Sequence, residues 1–145
     1  YEGLIAGIEL PEVVEGAPEG AHIFEVKESI QPTRYTGNDV PGEYYIKFTD
    51  NDGGEFRFDL LIDPAICDNG NAVLPTGTYT TEQFNLSYTD FVTYRPSYKV
   101  WNITEIEVDV VTEGETHTIV VNATMENGGE TKPFYMNWSG EIKVQ

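Results

Sequence analysis

Residues 133–144 alternate with a period of two. Phe134, Met136, Trp138, Ile142 and Val144 share one parity, with Gly140 keeping its place among them, while Tyr135, Asn137, Ser139, Glu141 and Lys143 take the other. A β-strand sends successive side chains to opposite faces, so this segment describes a strand with one dry face and one wet face. The pattern recurs at Phe56, Phe58, Leu60 and Ile62 and again at Ile119, Val121, Ala123 and Met125. No stretch shows a helical period with a cap at its start. The chain therefore reads as all-β.

Two meanders flank an aromatic middle. In the first, Phe24, Val26 and Ile30 alternate with Glu25, Lys27 and Ser29, then Tyr44, Ile46 and Phe48 follow a turn at 38–42, and residues 56–62 return after the Gly-containing turn at 50–54. In the second, Trp101 and Ile103 have one parity while Ile106, Val108 and Val110 have the other, which predicts a β-bulge near Thr104 and Glu105. Glu113 and Gly114 turn the chain, residues 119–125 return, and the turn at 126–130 leads to the final strand. Gly53-Gly54-Glu55 and Gly128-Gly129-Glu130 hold equivalent places, which suggests a duplicated meander. Between the meanders, Leu74-Pro75-Thr76-Gly77-Thr78-Tyr79 reads as a turn entering a strand.

About eight strands with short turns predict an antiparallel two-sheet β-sandwich built from two meanders. A calycin-like closed β-barrel satisfies the same alternation, and the pattern alone leaves the two open. A transmembrane barrel would also alternate, but the middle third does not alternate cleanly and the aromatics are not confined to strand ends. Membrane insertion is not expected, and no apolar run approaches the length of about 18 residues that a spanning helix needs.

The chain of 145 residues fits a single domain, with 1–20 as an N-terminal edge strand and acidic loop. Its 25 acidic residues against 8 basic ones give a net charge of -17. Such a surface repels a phosphate backbone and an anionic membrane, so nucleic acid is not an expected partner. Cys67 is the only cysteine, so no internal disulfide forms and the core must supply stability. The chain opens at Tyr1 without a leader, as a processed or trimmed chain would.

No catalytic constellation stands out. His22 and His117 are the only imidazoles, and His117, in Thr116-His117-Thr118, is expected to face solvent. Asp63, Asp68, Asn69 and Asn71 cluster in one loop and could offer hard oxygen ligands to a structural calcium. No other cofactor is implied. Asn-x-Ser/Thr triplets at Asn85, Asn102, Asn122 and Asn137 read as incidental. The aromatic middle is the strongest candidate for function. Phe84, Tyr88, Phe91, Tyr94, Tyr98 and Trp101 fall close together with Arg95 and Lys99 among them, and Pro96 suggests a loop. Aromatic rings on loops make rigid amphipathic platforms, so Tyr94, Arg95, Tyr98 and Trp101 are the candidate ligand-binding residues.

The Tyr-rich strand after Gly42, the 74–79 turn and the last strand with Trp138-Ser139-Gly140-Glu141-Ile142 together resemble the secreted and surface lipoprotein β-domains of gut Bacteroidetes. That resemblance implies export, lipid attachment at a cysteine upstream of this chain, and a role in nutrient capture or adhesion. Cys67 lies mid-domain and is not that residue. The expected function is a non-catalytic extracellular domain that binds a glycan, peptide or protein through aromatic loop residues. The alternatives are a barrel holding a small apolar ligand inside and a glycan-processing enzyme using paired carboxylates.

Overall fold

The computed structural model describes residues 16–31, 43–62, 74–95 and 97–144. It is all-β, with strands β1 (His22–Phe24), β2 (Glu28–Gln31), β3 (Glu43–Thr49), β4 (Glu55–Leu61), β5 (Gly77–Thr80), β6 (Asp90–Thr93), β7 (Lys99–Glu113), β8 (Thr116–Asn127), β9 (Glu130–Glu141) and β10 (Lys143–Val144). The only helical pieces among the described residues are two single 3-10 turns, Thr81–Gln83 and Leu86–Tyr88. Among the described residues no helix is long and apolar enough to cross a membrane.

The strands join one curled sheet in the order β1-β9-β8-β7-β6-β4-β3-β2-β10, with β5 also paired to β7. Both expected meanders are present as β2-β3-β4 and β7-β8-β9. The segment expected as one strand from Phe24 to Ile30 is two, because its partner changes along its length. β1 lies parallel to β9, and after residues 25–27 β2 lies between β3 and β10, again parallel to β10. Lys27 N–H donates to Thr49 O at 2.6 Å as the chain changes neighbours, and Ser29 Oγ donates to Glu141 O at 3.2 Å. Parallel pairing joins strands far apart in sequence and leaves no local turn signal.

The bulge sits where the parity switch places it. Ile103 pairs with Met125 and Glu105 with Thr124, so Thr104 is the extra residue, and both Ile103 and Ile106 reach the core although they differ in parity. The two Gly-Gly turns, by contrast, do not share a backbone. Gly128 and Gly129 both have positive φ, 57° and 87°, in a two-residue hairpin loop between Asn127 and Glu130. In the other turn only the first of the two glycines, Gly53, has positive φ, and the Asp50 carboxylate organises the loop by accepting from Asp52 N at 2.9 Å and Gly54 N at 2.7 Å. A Cβ on Gly54 would stand 2.7 Å from Asp50 Oδ2, so that glycine is required by the carboxylate. The turn likeness thus gives no support to a duplication.

The inner face is dominated by phenylalanine. Phe24, Phe48, Phe56, Phe58, Phe91 and Phe134 are all buried, and Phe134 has its ring centre 4.5 Å from Phe56 and 5.3 Å from Phe91. Each ring contributes about 2 kcal/mol by leaving water, and the tilted and edge-on contacts satisfy the ring quadrupoles. Trp138 is half-buried against Phe48 at 5.4 Å.

His117 corrects the expectation of a solvent-facing residue, since it is 0% exposed. It shares the parity of Ile119, Val121 and Met125, all buried. Its strand partner on β9 is Gly140, which carries no side chain. Nε2 accepts the Leu74 N–H at 2.8 Å, which places the proton on Nδ1. Burial holds the imidazole below its ordinary pKa, and it stays neutral.

Candidate functional site

Beyond the aromatic layer, each inward-facing row continues for one more residue at the same end of the sheet. The residue two positions from Phe24 is His22, from Phe48 it is Asp50, from Phe91 it is Thr93, from Trp101 it is Lys99, and from Phe134 it is Lys132. Cross-strand pairing aligns the rows, since Phe48 pairs with Phe56, Phe56 with Phe91, Phe91 with Trp101, Thr93 with Lys99, and His22 with Phe134. A ring of polar side chains therefore rims the open end of a phenylalanine core.

Within this rim lies a cavity of about 60 Å³, walled by His22, Asp50, Asp52, Thr93, Tyr94 and Arg95 and floored by Phe91. Pockets that hold whole drug-sized molecules run to about 300–1,000 Å³. This one has room for a functional group. His22 packs its ring 4.7 Å from Phe91 and 6.0 Å from Phe134. Burial, and after it the charge of Lys132, lowers its pKa, against a smaller opposing pull from Asp50.

The connection between β6 and β7 passes beside the cavity. Tyr94 and Tyr98 stand on it with ring centres 5.7 Å apart, 45% and 66% exposed, where most large apolar residues of the chain are buried. Tyr94 Oη donates to Glu55 Oε1 at 3.0 Å, which fixes the ring and raises the phenol's pKa. Thr93 Oγ1 donates to Ser97 O at 3.1 Å and closes the loop. Arg95 is exposed between the two tyrosines. Trp101, grouped with them from the sequence, is 7% exposed and belongs to the core, with Lys99 Nζ 5.8 Å from its ring centre.

Of the cations nearby, two are matched. Arg57 meets Asp90 with a fork of two 2.8 Å hydrogen bonds, and Lys47 reaches Glu55 at 3.3 Å. Arg95, Lys99 and Lys132 have no ion pair among the described residues. Of these three only Arg95 lines the cavity, together with the carboxylates of Asp50 and Asp52.

Of the residues singled out from the sequence as ligand-binding, Tyr94 and Arg95 line this cavity, Tyr98 stands beside Tyr94, and Trp101 lies in the core; His22, Asp50, Thr93, Lys99 and Lys132 were not grouped with them. The signal passed over was a polar residue of inward parity one step past the last aromatic of each strand. Phe84 and Phe91 are buried, and Tyr88 is 50% exposed. The loop with Asp63, Asp68, Asn69 and Asn71, together with Cys67 and Pro96, lies outside the described residues. Among the described residues no three His, Cys, Asp or Glu side chains are grouped to hold a metal ion. Two larger open hollows lie elsewhere: one of 470 Å³ lined by Thr80, Glu105, Glu107 and Asn122, the other of 360 Å³ beside Trp138. Neither includes a basic side chain or the exposed tyrosines. Compared with protein-family models, curated proteins and solved structures, the chain matches none.

Proposed function

We propose that this is a non-catalytic ligand-binding domain whose contact surface is the Tyr94–Arg95–Tyr98 connection at the open end of the sheet. The observation that carries the reading is the pair of exposed tyrosine rings, held 5.7 Å apart beside a polar cavity while the neighbouring aromatics Phe91 and Trp101 are buried. Exposed rings on a braced loop offer flat apolar area at low entropic cost, which suits sugars and peptides. Export and attachment at the cell surface, as the lipoprotein resemblance implies, would place such a surface where extracellular ligands are met.

Closure of the sheet into a barrel fits the pairings better than two separate sheets. β9 and β10 are separated only by Ile142 and bond to β8 and to β2 respectively, so the ladder leads back toward its start. The interior of that barrel is occupied by phenylalanine rings, which argues against an apolar ligand inside and for binding at the end.

The test is a glycan and peptide array probed with the wild type and with Tyr94→Ala/Tyr98→Ala. Exposed rings contribute little to folding, so the variant is expected to keep its stability within about 0.5 kcal/mol while losing the wild-type hits. Wild-type hits that persist in the variant would remove the proposal, and so would an array on which the wild type binds nothing.

A further inference from the structure

We propose that the hollow at the seam between β1 and β9 is a second ligand site, which takes one neutral sugar unit against Trp138. It stands apart from the Tyr94–Tyr98 surface and does not rest on that reading.

The seam leaves a gap in the wall. β1 and β9 pair in parallel from His22 and Phe134 to Phe24 and Met136, and the next pairing along the same line is Ile30 of β2 with Lys143 of β10. Between these points the described residues form no ladder. Lys27 N–H turns away to Thr49 O, and it is the Ser29 hydroxyl that reaches across to Glu141 O. That bond shows which edge Glu141 presents to the seam. Alternate residues of a strand turn their backbone groups to the same edge, so Ser139 offers its N–H and C=O to the gap.

Side chains from both faces of the sheet line the resulting hollow of 360 Å³. Glu25, Asn137 and Ser139 are exposed and belong to the outer face, whereas Phe24, Val26 and Trp138 pack with the core. A hollow bounded by both faces enters the wall instead of lying on it. Trp138 is braced from within, 5.4 Å from Phe48, and its ring covers Gly140, where a Cβ would come within 2.7 Å of Cζ2. The polar side chains of the hollow are only loosely engaged, Asn137 Nδ2 with Tyr135 Oη at 3.4 Å and Ser139 Oγ with Thr118 Oγ1 at 3.3 Å.

Shape and chemistry narrow the occupant. The volume falls within the range of about 300–1,000 Å³ found for small-molecule sites. Pairing closes the gap at both ends, so an extended peptide has no room to add along it as a strand. No basic side chain lines it, and Glu25 has no ion pair among the described residues, which opposes an anion. A wholly apolar molecule would cover Glu25, Asn137 and the Ser139 backbone without giving them partners. What fits is a compact uncharged ring with hydroxyls at its edge and an apolar face, as in a hexose. The indole takes the C–H face, and the Asn137 amide, the Glu25 carboxylate and the Ser139 backbone take the hydroxyls.

One sugar unit held by a single ring and a few hydrogen bonds binds at about 1 mM. Such a ligand washes off an array, so the test of the tyrosine surface reads a different site. The seam is tested in solution, by ¹H–¹⁵N spectra of the whole chain titrated with the methyl glycosides of glucose, galactose, mannose and N-acetylglucosamine. The two tryptophans give two indole signals, which Trp101→Phe assigns. At least one glycoside is expected to shift the Trp138 indole and the Ser139 amide with saturation and to leave the Trp101 indole in place. Asn137→Ala/Ser139→Ala alters two exposed side chains, so it should keep the fold and weaken that glycoside about tenfold. The site is overturned if no glycoside saturates the Trp138 signal, or if the double variant binds as the wild type does. Cyclohexanol shifting Trp138 as strongly as the best glycoside overturns the sugar assignment, and glucuronate binding more tightly than glucose overturns the preference for a neutral ring. Tyr94→Ala/Tyr98→Ala should leave the Trp138 response intact, and its loss there would mean that the seam is no separate site. An array on which the wild type binds nothing, with the Trp138 response present, removes the tyrosine surface and leaves the seam standing.

Discussion

Acidification from about pH 7.5 to about pH 5.5 is expected to destabilise this protein, through His117, before its carboxylates titrate in their ordinary range. The imidazole is 0% exposed and its Nε2 accepts the Leu74 N–H, so the folded state holds it neutral, with burial as the leading cause of its lowered pKa. In the unfolded chain the same group titrates near 6.5. Below that value the unfolded state binds more protons than the folded one, so stability rises with pH and is lost as pH falls. The loss grows by up to about 1.4 kcal/mol per pH unit and levels off once the folded imidazole itself protonates. His22 has the same sign of shift and adds a smaller share, being only partly buried.

The assay is urea unfolding at several pH values, in a His22→Gln background that leaves His117 as the sole imidazole. The midpoint should fall between pH 7.5 and 5.5 without a change of slope. His117→Leu in that background should abolish the pH dependence in this window. It should also cost about 1–3 kcal/mol at neutral pH, because the buried Leu74 N–H then has no acceptor. A midpoint constant over the window, or a pH dependence that survives His117→Leu, would refute the reasoning.

Two other substitutions probe the geometry that shapes the rim. Gly54→Ala should lower stability by about 1–2 kcal/mol, since the new Cβ meets Asp50 Oδ2 at 2.7 Å and the carboxylate must leave its two N–H partners. Asp50→Ala should cost a similar amount, and a double-mutant cycle by thermal unfolding should show the two strongly non-additive. Arg57→Lys should lose about 1 kcal/mol by replacing the two-bond fork to Asp90 with a single contact, again read by thermal unfolding. An unchanged melting temperature there would mean the β4–β6 pairing does not depend on the fork.

What the sequence disclosed and what it withheld follow from one physical distinction. Features fixed by the period-two geometry of a strand were legible: the three long strands, the hairpin turns, and the bulge at Thr104, which the change of parity between Ile103 and Ile106 requires. The burial of His117 was equally legible by parity, and was misread because its polar neighbours Thr116 and Thr118 were given more weight than Ile119 and Val121, which share its face of the strand. Partnership between distant strands was not legible. Nothing in residues 22–31 announces that the strand leaves β9 for β10, because a parallel ladder is set by the whole sheet.

The rim lies between these cases, and it explains why function is harder to read here than fold. Every member is a polar residue at a strand end, which taken alone resembles ordinary solvent exposure. Parity says which of those residues point inward, and His22, Asp50, Thr93, Lys99 and Lys132 all do. Register alone says that they point inward at the same end, and that took the Phe48–Phe56–Phe91–Trp101 row and the His22–Phe134 pairing to establish. The exposed tyrosines gave the place, since an aromatic pair outside the core needs a reason. Beside them Arg95, Asp50 and Asp52 give that place charges of both signs. A site assembled this way depends on the sheet keeping its register, so the stability of β1 against β9 and the chemistry of His22 are two aspects of a single arrangement.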